Sequence, residues 1–138
     1  MRLFIFCNDD KPVIPGTLKD VEVCNVSDIS DKTNYFYSSV ESFGFIETCR
    51  SENPFDQLLN KIDNKGYLKV VGIDIYQAAE ALRCGEINSE EFSNLVVKEN
   101  HRVTSLHLLV SHLQTRPEFA IEHAGIAGLN YILKVIRV

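Results

Sequence analysis

The sequence predicts an α/β fold built around a mostly parallel sheet, and two observations carry that prediction. The segments Tyr35–Val40, Pro54–Ile62 and Tyr67–Ile75 read as strand, helix and strand. The last of these has apolar side chains on both faces, which is typical of a central strand covered by helices on each side. The chain then ends in two strand-like segments, which favours a C-terminal antiparallel hairpin.

Two strands are predicted in the first third of the chain. Leu3–Cys7 is a continuous apolar run, which is typical of a buried strand. Val21–Val26 alternates apolar and polar residues, which indicates a strand with one wetter face. Lys11–Thr17, between them, contains two prolines and a glycine and is predicted to be a loop.

The central helix has a clear start and a clear end. Asn53 can cap it, and Pro54 suits the first helical position because that N–H would have no partner in any case. Its apolar residues recur on one helical face. Asp63–Gly66 is predicted to be the tight turn that leads into Tyr67–Ile75.

The second half of the chain is predicted to hold three helices and two strands. Asp74 with Gln77 and Asn88 with Glu91 form plausible capping pairs for the first two helices. The elements are helices Tyr76–Cys84, Asn88 to about Lys98 and Thr104–Thr115, and strands Phe119–His123 and Asn130–Val138. The last strand is apolar on both faces and is predicted to be central. The hairpin loop, Gly125–Gly128, looks longer than the tightest types.

Length and composition favour one soluble domain, residues 1–138. The chain is 45% hydrophobic and 24% charged, as is usual for globular proteins. A net charge of −5 gives no electrostatic reason to bind nucleic acid or anionic lipid. No apolar run approaches the roughly 20 residues of a membrane span. We therefore expect a cytoplasmic protein with no nucleic-acid or membrane partner.

The cysteines and histidines give no metal pattern. Cys7, Cys24, Cys49 and Cys84 are too widely spaced for a zinc site. Free thiols in a reducing cytosol are the main interpretation, and a disulfide or a reactive thiol is the alternative. The histidines lack the i, i+4 spacing of a two-histidine site, so no metal is expected.

Five short stretches in a fixed order carry a resemblance to a known family. They are Leu3–Pro12 with Ile14–Gly16, Cys24–Ile29, Tyr37–Phe43, Leu58–Ile62 and Lys65–Val70. Together they resemble the class I S-adenosylmethionine-dependent methyltransferases over nearly the whole chain. The resemblance implies a doubly wound, Rossmann-like, mostly parallel sheet that ends in an antiparallel hairpin.

The half that would hold the cofactor departs from the family pattern. Phe6 and Asn8 stand where the family has glycines that let the backbone approach the methionine part of the cofactor. The connection from Asp10 to Val21 looks too short for a helix and a second strand ending in the ribose-binding acid. Asn25 matches the family's adenine-contacting Asp. We therefore expect a shortened first βαβ unit and a small, degenerate member of the family.

The candidate site residues come from the resemblance and from the predicted strand ends, where open α/β sheets bind their ligands. The cofactor-binding candidates are Cys7, Asn8, Asp9, Asn25, Val26, Ser39 and Glu41. Asp74 is the substrate-site candidate, with a helix cap as the alternative reading. Methyl transfer needs mostly positioning, so no catalytic side chain is predicted.

Three functions fit these observations. The first is a non-catalytic binding or assembly module with no cofactor, and whether the chain is an enzyme stays open. A missing helix would expose one sheet face, and that face would bind a protein partner or a second copy. The alternative is an active S-adenosylmethionine-dependent methyltransferase acting on a small molecule or glycan. The third is a compact enzyme that works without this cofactor.

Overall fold

The computed structural model describes residues 2–6, 21–25, 37–43, 54–98 and 103–138, which form one sheet of seven strands with helices. The strands are β1 (Arg2–Phe6), β2 (Val21–Asn25), β3 (Tyr37–Phe43), β4 (Ile62–Asp74), β5 (Val103–Thr104), β6 (Phe119–Ala127) and β7 (Asn130–Arg137). The helices are α1 (Pro54–Leu59), α2 (Ile75–Arg83), α3 (Ser89–Ser93) and α4 (Leu106–Leu113). A π-helical turn, Asn94–Lys98, follows α3 directly.

The sheet is mixed, with the order β2-β1-β3-β4-β7-β6 and β5 paired to the end of β4. β2, β1, β3, β4 and β5 pair in parallel, and β7 runs antiparallel to both β4 and β6. This confirms the predicted α/β class, the mostly parallel sheet and the C-terminal antiparallel hairpin. It also confirms that the last strand is central, since β7 lies between β4 and β6.

β2 lies beside β1 in the sheet. The stretch Cys24–Ile29, in which β2 ends, resembles the end of the family's third strand, and the short connection from Asp10 to Val21 predicts that the second strand is missing. In the structure β2 pairs directly with β1, with Phe6 opposite Asn25. In Rossmann order the neighbour of the first strand on that side is the second strand. β2 therefore takes the sheet position of a second strand, and among the described residues no third strand lies beyond it. Residues 7–20, which connect β1 to β2, lie outside the described residues, so the shortening of the first βαβ unit stays a prediction.

β3 and β4 differ from their predicted limits because pairing, rather than composition, sets strand ends. β3 continues to Phe43, which lies opposite Val71 of β4. β4 begins at Ile62, which lies opposite Tyr37, and the register then shifts, so residues 63–66 protrude as a bulge inside the strand. The predicted turn is this bulge.

The last hairpin is tighter than the sequence suggested. β6 runs to Ala127, which pairs with Asn130, so only Gly128 and Leu129 connect the strands. Gly128 has φ 62°, as the first position of a type II′ turn requires. Gly125, expected in the loop, lies inside β6.

The caps at Asp74 and Asn88 are as predicted, and the predicted cap Asn53 lies outside the described residues. Asp74 caps α2, and Asn88 with Glu91 forms a capping box at α3. Three helices are shorter than predicted. α1 ends at Leu59 and not at Ile62, which begins β4. The predicted helix from Asn88 is α3 followed by the π-helical turn. The predicted helix Thr104–Thr115 is α4 alone, because residues 103–104 pair with β4 as β5.

One face of the sheet, which we call the helix-covered face, forms the core. α1 and α4 pack on it. The fully buried core residues come from both helices and from β3, β4 and β7; the largest are Tyr37, Phe55, Leu58, Leu59, Ile62, Leu68, Leu109 and Tyr131.

The opposite face, which we call the open face, is half-buried rather than closed. Alternate residues of β4 and β7, such as Val71 and Ile132, are partly exposed here. Glu41, Lys69 and Lys134 lie side by side in register across its centre. The strand Tyr67–Ile75 had been expected to be covered on both faces. It is central, but this charged row shows that only one of its faces is a dry core.

Candidate functional site

The carboxyl ends of the parallel strands meet at one edge of the sheet, which we call the carboxyl edge. β1 ends at Phe6 and β2 at Asn25, which are register partners. β3 ends at Phe43, and β4 continues for three further residues to Asp74. The chain places β2 on one side of β1 and β3 on the other, so the topological switch point lies between β1 and β3. Open α/β sheets bind their ligands beside such a point.

Five of the predicted cofactor-binding residues lie at the end of β1 or β2 in sequence, and the structure describes one of these five. Asn25 is the last residue of β2 and lies at the edge, as expected. Cys7, Asn8 and Asp9, which follow β1 in sequence, lie outside the described residues, as does Val26 after β2.

Ser39 and Glu41 lie away from the carboxyl edge, contrary to their expected placement. Ser39 is buried and pairs with Arg2 and Tyr67 near the amino end of the sheet. Glu41 lies in mid-strand on the open face, where it accepts a hydrogen bond of 3.3 Å from the Tyr67 hydroxyl. The expectation failed because β3 was predicted to end at Val40, which put Ser39 at the end of the strand and Glu41 directly after it, whereas β3 continues to Phe43.

Asp74 lies at the carboxyl edge, where its carboxylate joins two helices. Oδ1 accepts the backbone N–H of Tyr76 at 2.9 Å and of Gln77 at 3.2 Å. Oδ2 accepts the N–H of Leu106 at 2.9 Å. The N-termini of α2 and α4 therefore converge on one buried carboxylate. These contacts support the helix-cap reading of Asp74, and they leave its substrate-site role a prediction.

The start of α4 shows why Asp74 is needed there. Ser105 occupies the N-cap position but makes no side-chain capping bond. Its hydroxyl is fully buried without a hydrogen-bond partner, among the residues that the structure describes. Asp74 pairs with Thr104 of β5, just before α4, and its carboxylate caps α4 in place of the Ser105 hydroxyl.

Comparison with solved structures shows what this architecture is similar to. Plantazolicin methyltransferase BpumL in complex with pentazolic desmethylPZN analog and SAH aligns with TM-score 0.56 and 9% identity, over 99% of this chain and 76% of that one. Its complex with triazolic desmethylPZN analog and SAH aligns with TM-score 0.51 and 11% identity, over 86% and 60%. An O-methyltransferase family protein from Burkholderia thailandensis aligns with TM-score 0.54 and 10% identity, over 85% and 36%.

The chain has a class I methyltransferase-like fold. At this level of identity the likeness concerns the fold alone. No protein-family model and no curated protein matches the sequence. The chain spans 58–60% of three of the matched plantazolicin methyltransferase chains.

The methyltransferase-like fold brings one residue to the carboxyl edge that the sequence did not single out. Tyr76, in the first turn of α2, has a side chain that is 63% exposed beside the Asp74 cap. Its position after a strand could be read from the sequence. Its exposure could not, because neighbouring Ile75 and Tyr76 are both large and apolar, and only packing decides which one turns outward.

Two further polar side chains among the described residues have a structural or a solvent-exposed position. His112 lies 2.6 Å from Asp56, between α4 and α1. Cys84 is a free, exposed thiol, and its pKa is raised, first by its hydrogen bond to Glu80 and then by burial and the nearby carboxylates. Within the described ranges, no cluster of His, Cys, Asp and Glu could hold a metal, and no helix is long and apolar enough to cross a membrane.

Proposed function

We propose that this chain is a methyltransferase-like domain with a reduced S-adenosylmethionine site, which serves as a binding or assembly module. One observation carries the proposal: the residues at the carboxyl ends of β1 and β2 are Phe6 and Asn25. In a dinucleotide-binding sheet a glycine-rich turn follows the first strand, and an acid about 20 residues on binds the ribose.

The turn after β1 lacks the glycines that such a cofactor needs. The first glycine after Phe6 is Gly16. A side chain on the turn keeps the backbone away from the ligand, since only glycine allows close approach. Phe6 and Asn8 therefore support a loss of affinity for the methionine part of the cofactor.

Asn25 supports the same conclusion for the ribose. It lies nineteen positions after Phe6, at the end of the strand beside β1, which is the place of the ribose-binding acid. This sheet position differs from the adenine-contacting role that the resemblance gave to Asn25. A carboxylate accepts both ribose hydroxyls with a full charge, whereas a carboxamide has one neutral acceptor oxygen.

The alternative function is an active S-adenosylmethionine-dependent methyltransferase acting on a small molecule or glycan. It is favoured by the SAH in the similar BpumL structures and by the exposed Tyr76 beside the carboxyl edge. Methyl transfer depends mainly on positioning, so a chain without obvious catalytic side chains can still perform it.

Titration with S-adenosylmethionine and S-adenosylhomocysteine separates the two functions. We expect no heat of binding in calorimetry and no saturable rise in the unfolding temperature up to millimolar ligand. A ligand at about 100 times its dissociation constant would stabilise the fold by about 2.7 kcal/mol, which is a rise of roughly 10 °C for a domain of this size. A saturable rise of that size in the unfolding temperature would contradict the proposed binding or assembly module and would support the methyltransferase.

A variant of Asn25 makes the titration specific to the carboxyl edge. Asn25→Asp restores the carboxylate, and Asn64→Asp adds the same charge in the exposed bulge of β4 as a matched control. We expect neither variant to show a heat of binding or a rise in the unfolding temperature, because the turn after β1 still lacks glycines. Binding by the Asn25→Asp variant alone would contradict loss of the methionine part of the site.

An assembly role also requires a surface for a protein partner. The open face provides partly exposed apolar residues, including Val71 and Ile132, beside the charged row. Its centre suits a partner that carries acidic groups. A second copy stacked centrally on this face would bring Lys69 and Lys134 of both chains together, at a cost in desolvation and repulsion.

A further inference from the structure

No strand among the described residues pairs with the outer edge of β6. β6 has nine residues and, within the part of the chain that the structure describes, pairs only with β7. Most of its residues are exposed, including Ile121 and Ile126. Exposed edges present a row of free backbone N–H and C=O groups, and proteins usually protect them with Lys, Pro or bulges.

β6 is protected at one end only. A bulge at Glu122 shifts the register between Ile121 and His123, and the Glu122 carboxylate is held at 2.8 Å by Lys134. From His123 to Ala127 the pairing with β7 is regular. This five-residue segment, which we call the free edge, contains no Lys, Arg, Asp, Glu or Pro.

The tight turn decides which backbone groups point outward. Ala127 and Asn130 close a two-residue turn, and the closing pair of such a hairpin is a hydrogen-bonded pair. Hydrogen-bonded and non-hydrogen-bonded pairs alternate along antiparallel strands. His123, Gly125 and Ala127 therefore bond to β7, and the N–H and C=O groups of Ala124 and Ile126 face outward.

We propose that a second copy of this chain adds antiparallel to the free edge, centred on Gly125. Ala124 of each chain then pairs with Ile126 of the partner subunit, which gives two pairs that each exchange both N–H···O bonds. The two symmetric Gly125 residues form the non-hydrogen-bonded pair between them, where the strands come closest. Such an interface is isologous and closes as a dimer.

The side chains of the free edge suit pairing with a second copy, because in the antiparallel register their sizes and charges do not conflict. Each large Ile126 lies opposite a small Ala124, so two isoleucines do not collide. His123 lies opposite Ala127, so no two charged side chains face each other, unlike the lysines at the centre of the open face. A five-residue pairing is small, so we expect a weak dimer with a dissociation constant on the order of 10 µM or above.

Sedimentation velocity over a wide concentration range tests the proposal with two matched variants. Ile126→Lys and Ile121→Lys place a lysine on side chains that are 44% and 42% exposed, one inside the free edge and one beyond the bulge. We expect the unmodified chain and the Ile121→Lys variant to dimerise with concentration. The Ile126→Lys variant should remain a monomer, with a dissociation constant raised at least tenfold. A monomeric unmodified chain, or equal loss in both variants, would overturn the proposal.

Hydrogen exchange on the unmodified chain keeps the test valid even if a variant fails to fold. The amides of Ala124 and Ile126 should slow at least tenfold between dilute and concentrated samples, whereas that of Gly125 should not change. If the chain dimerises and the exchange rates of the Ala124 and Ile126 amides do not change, the dimer uses another surface and the proposed pairing at the free edge is wrong. The outcome does not depend on cofactor binding, so it is separable from the proposed function.

Discussion

At the scale of single residues, Asp74 couples the end of a strand to two helices. Its carboxylate accepts three backbone N–H groups, from residues 76, 77 and 106, and its own N–H donates to the Leu129 carbonyl at 2.9 Å. Helix N-termini have unpaired N–H groups that must find acceptors when buried. Asp74 supplies that acceptor for both helices, which holds the carboxyl edge in one arrangement.

Replacing Asp74 should therefore destabilise the whole fold. We expect Asp74→Ala to lower the free energy of unfolding by about 3 kcal/mol, because buried N–H groups lose a charged acceptor. Urea unfolding monitored by circular dichroism measures the change. Asp63→Asn is the matched control, since the Asp63 carboxylate is exposed and accepts the N–H of the adjacent Asn64, and it should cost less than about 0.5 kcal/mol. Similar losses in both variants would contradict this role.

At the scale of elements, a cluster around Arg116 ties α1 to the junction of α4 and β6. Its guanidinium donates to Asp56 at 2.8 Å, to Glu118 at 2.6 Å and to Asn60 at 2.8 Å, and it lies over the Phe119 ring. A planar guanidinium can satisfy several acceptors in fixed directions. Arg116 therefore sets how α1 and α4 lie on the helix-covered face.

The exposure of Arg116 predicts how much its ion pair contributes to stability, compared with a second arginine–glutamate pair of the same length. Arg116–Glu118 and Arg83–Glu80 are both 2.6 Å long, but Arg116 is 24% exposed and Arg83 is 72% exposed. We expect Arg116→Ala to lower the free energy of unfolding by about 2 kcal/mol, and Arg83→Ala by less than about 0.5 kcal/mol. Urea unfolding at pH 7 measures the change for both variants. Equal changes would contradict the role of Arg116 in holding α1 against α4.

The same variant should show a defined pH dependence. The pKa of Glu118 is lowered from 4.5, first by a hydrogen bond from its own backbone N–H and then by Arg116. A lowered folded-state pKa stabilises the protein above the unfolded value, and the effect is lost as the pH falls. The stability difference between the unmodified chain and Arg116→Ala should thus be constant near neutral pH and shrink below pH 4.5. A difference that grows on acidification would be inconsistent with the ion pair.

At the scale of the whole molecule, the two faces of the sheet are buried to different extents. The helix-covered face buries residues from β3, β4 and β7 against α1 and α4, whereas the open face is half-exposed with a charged row. The most stable part of the molecule should be the pair β4–β7, because it lies at the centre of the sheet. Local stability follows buried contacts and inaccessible hydrogen bonds.

Native-state hydrogen exchange should resolve this order. We expect the amides of residues 68–72 and 131–135 to exchange last, at rates that follow global unfolding, since both strands have partners on each side. In dilute samples the outward amides of β6 should exchange orders of magnitude faster. If β6 and β4 exchanged at the same rate in the monomer, the sheet would not have the proposed edge.

Much of the fold could be predicted because its signals are local. The cap at Asp74, the capping box of Asn88 with Glu91 and the proline at the start of α1 depend on neighbours within four residues. Strand limits were less accurate, as for Ser39 and Glu41, since the end of a strand is set by pairing partners distant in the chain. Ser39 and Glu41 therefore lie away from the carboxyl edge, where they were expected, and their role as cofactor-binding residues stays a prediction.

The sequence by itself determined the α/β class, the order of most elements and the absence of glycine directly after β1, because periodicity, capping chemistry and residue identity are local properties. Tertiary structure alone decided that β2 takes the second-strand position, that Asp74 caps two helices and that no described strand pairs with the outer edge of β6. These facts depend on which distant segments come together. Register and sheet order follow from the burial of a shared core, and no local pattern encodes them.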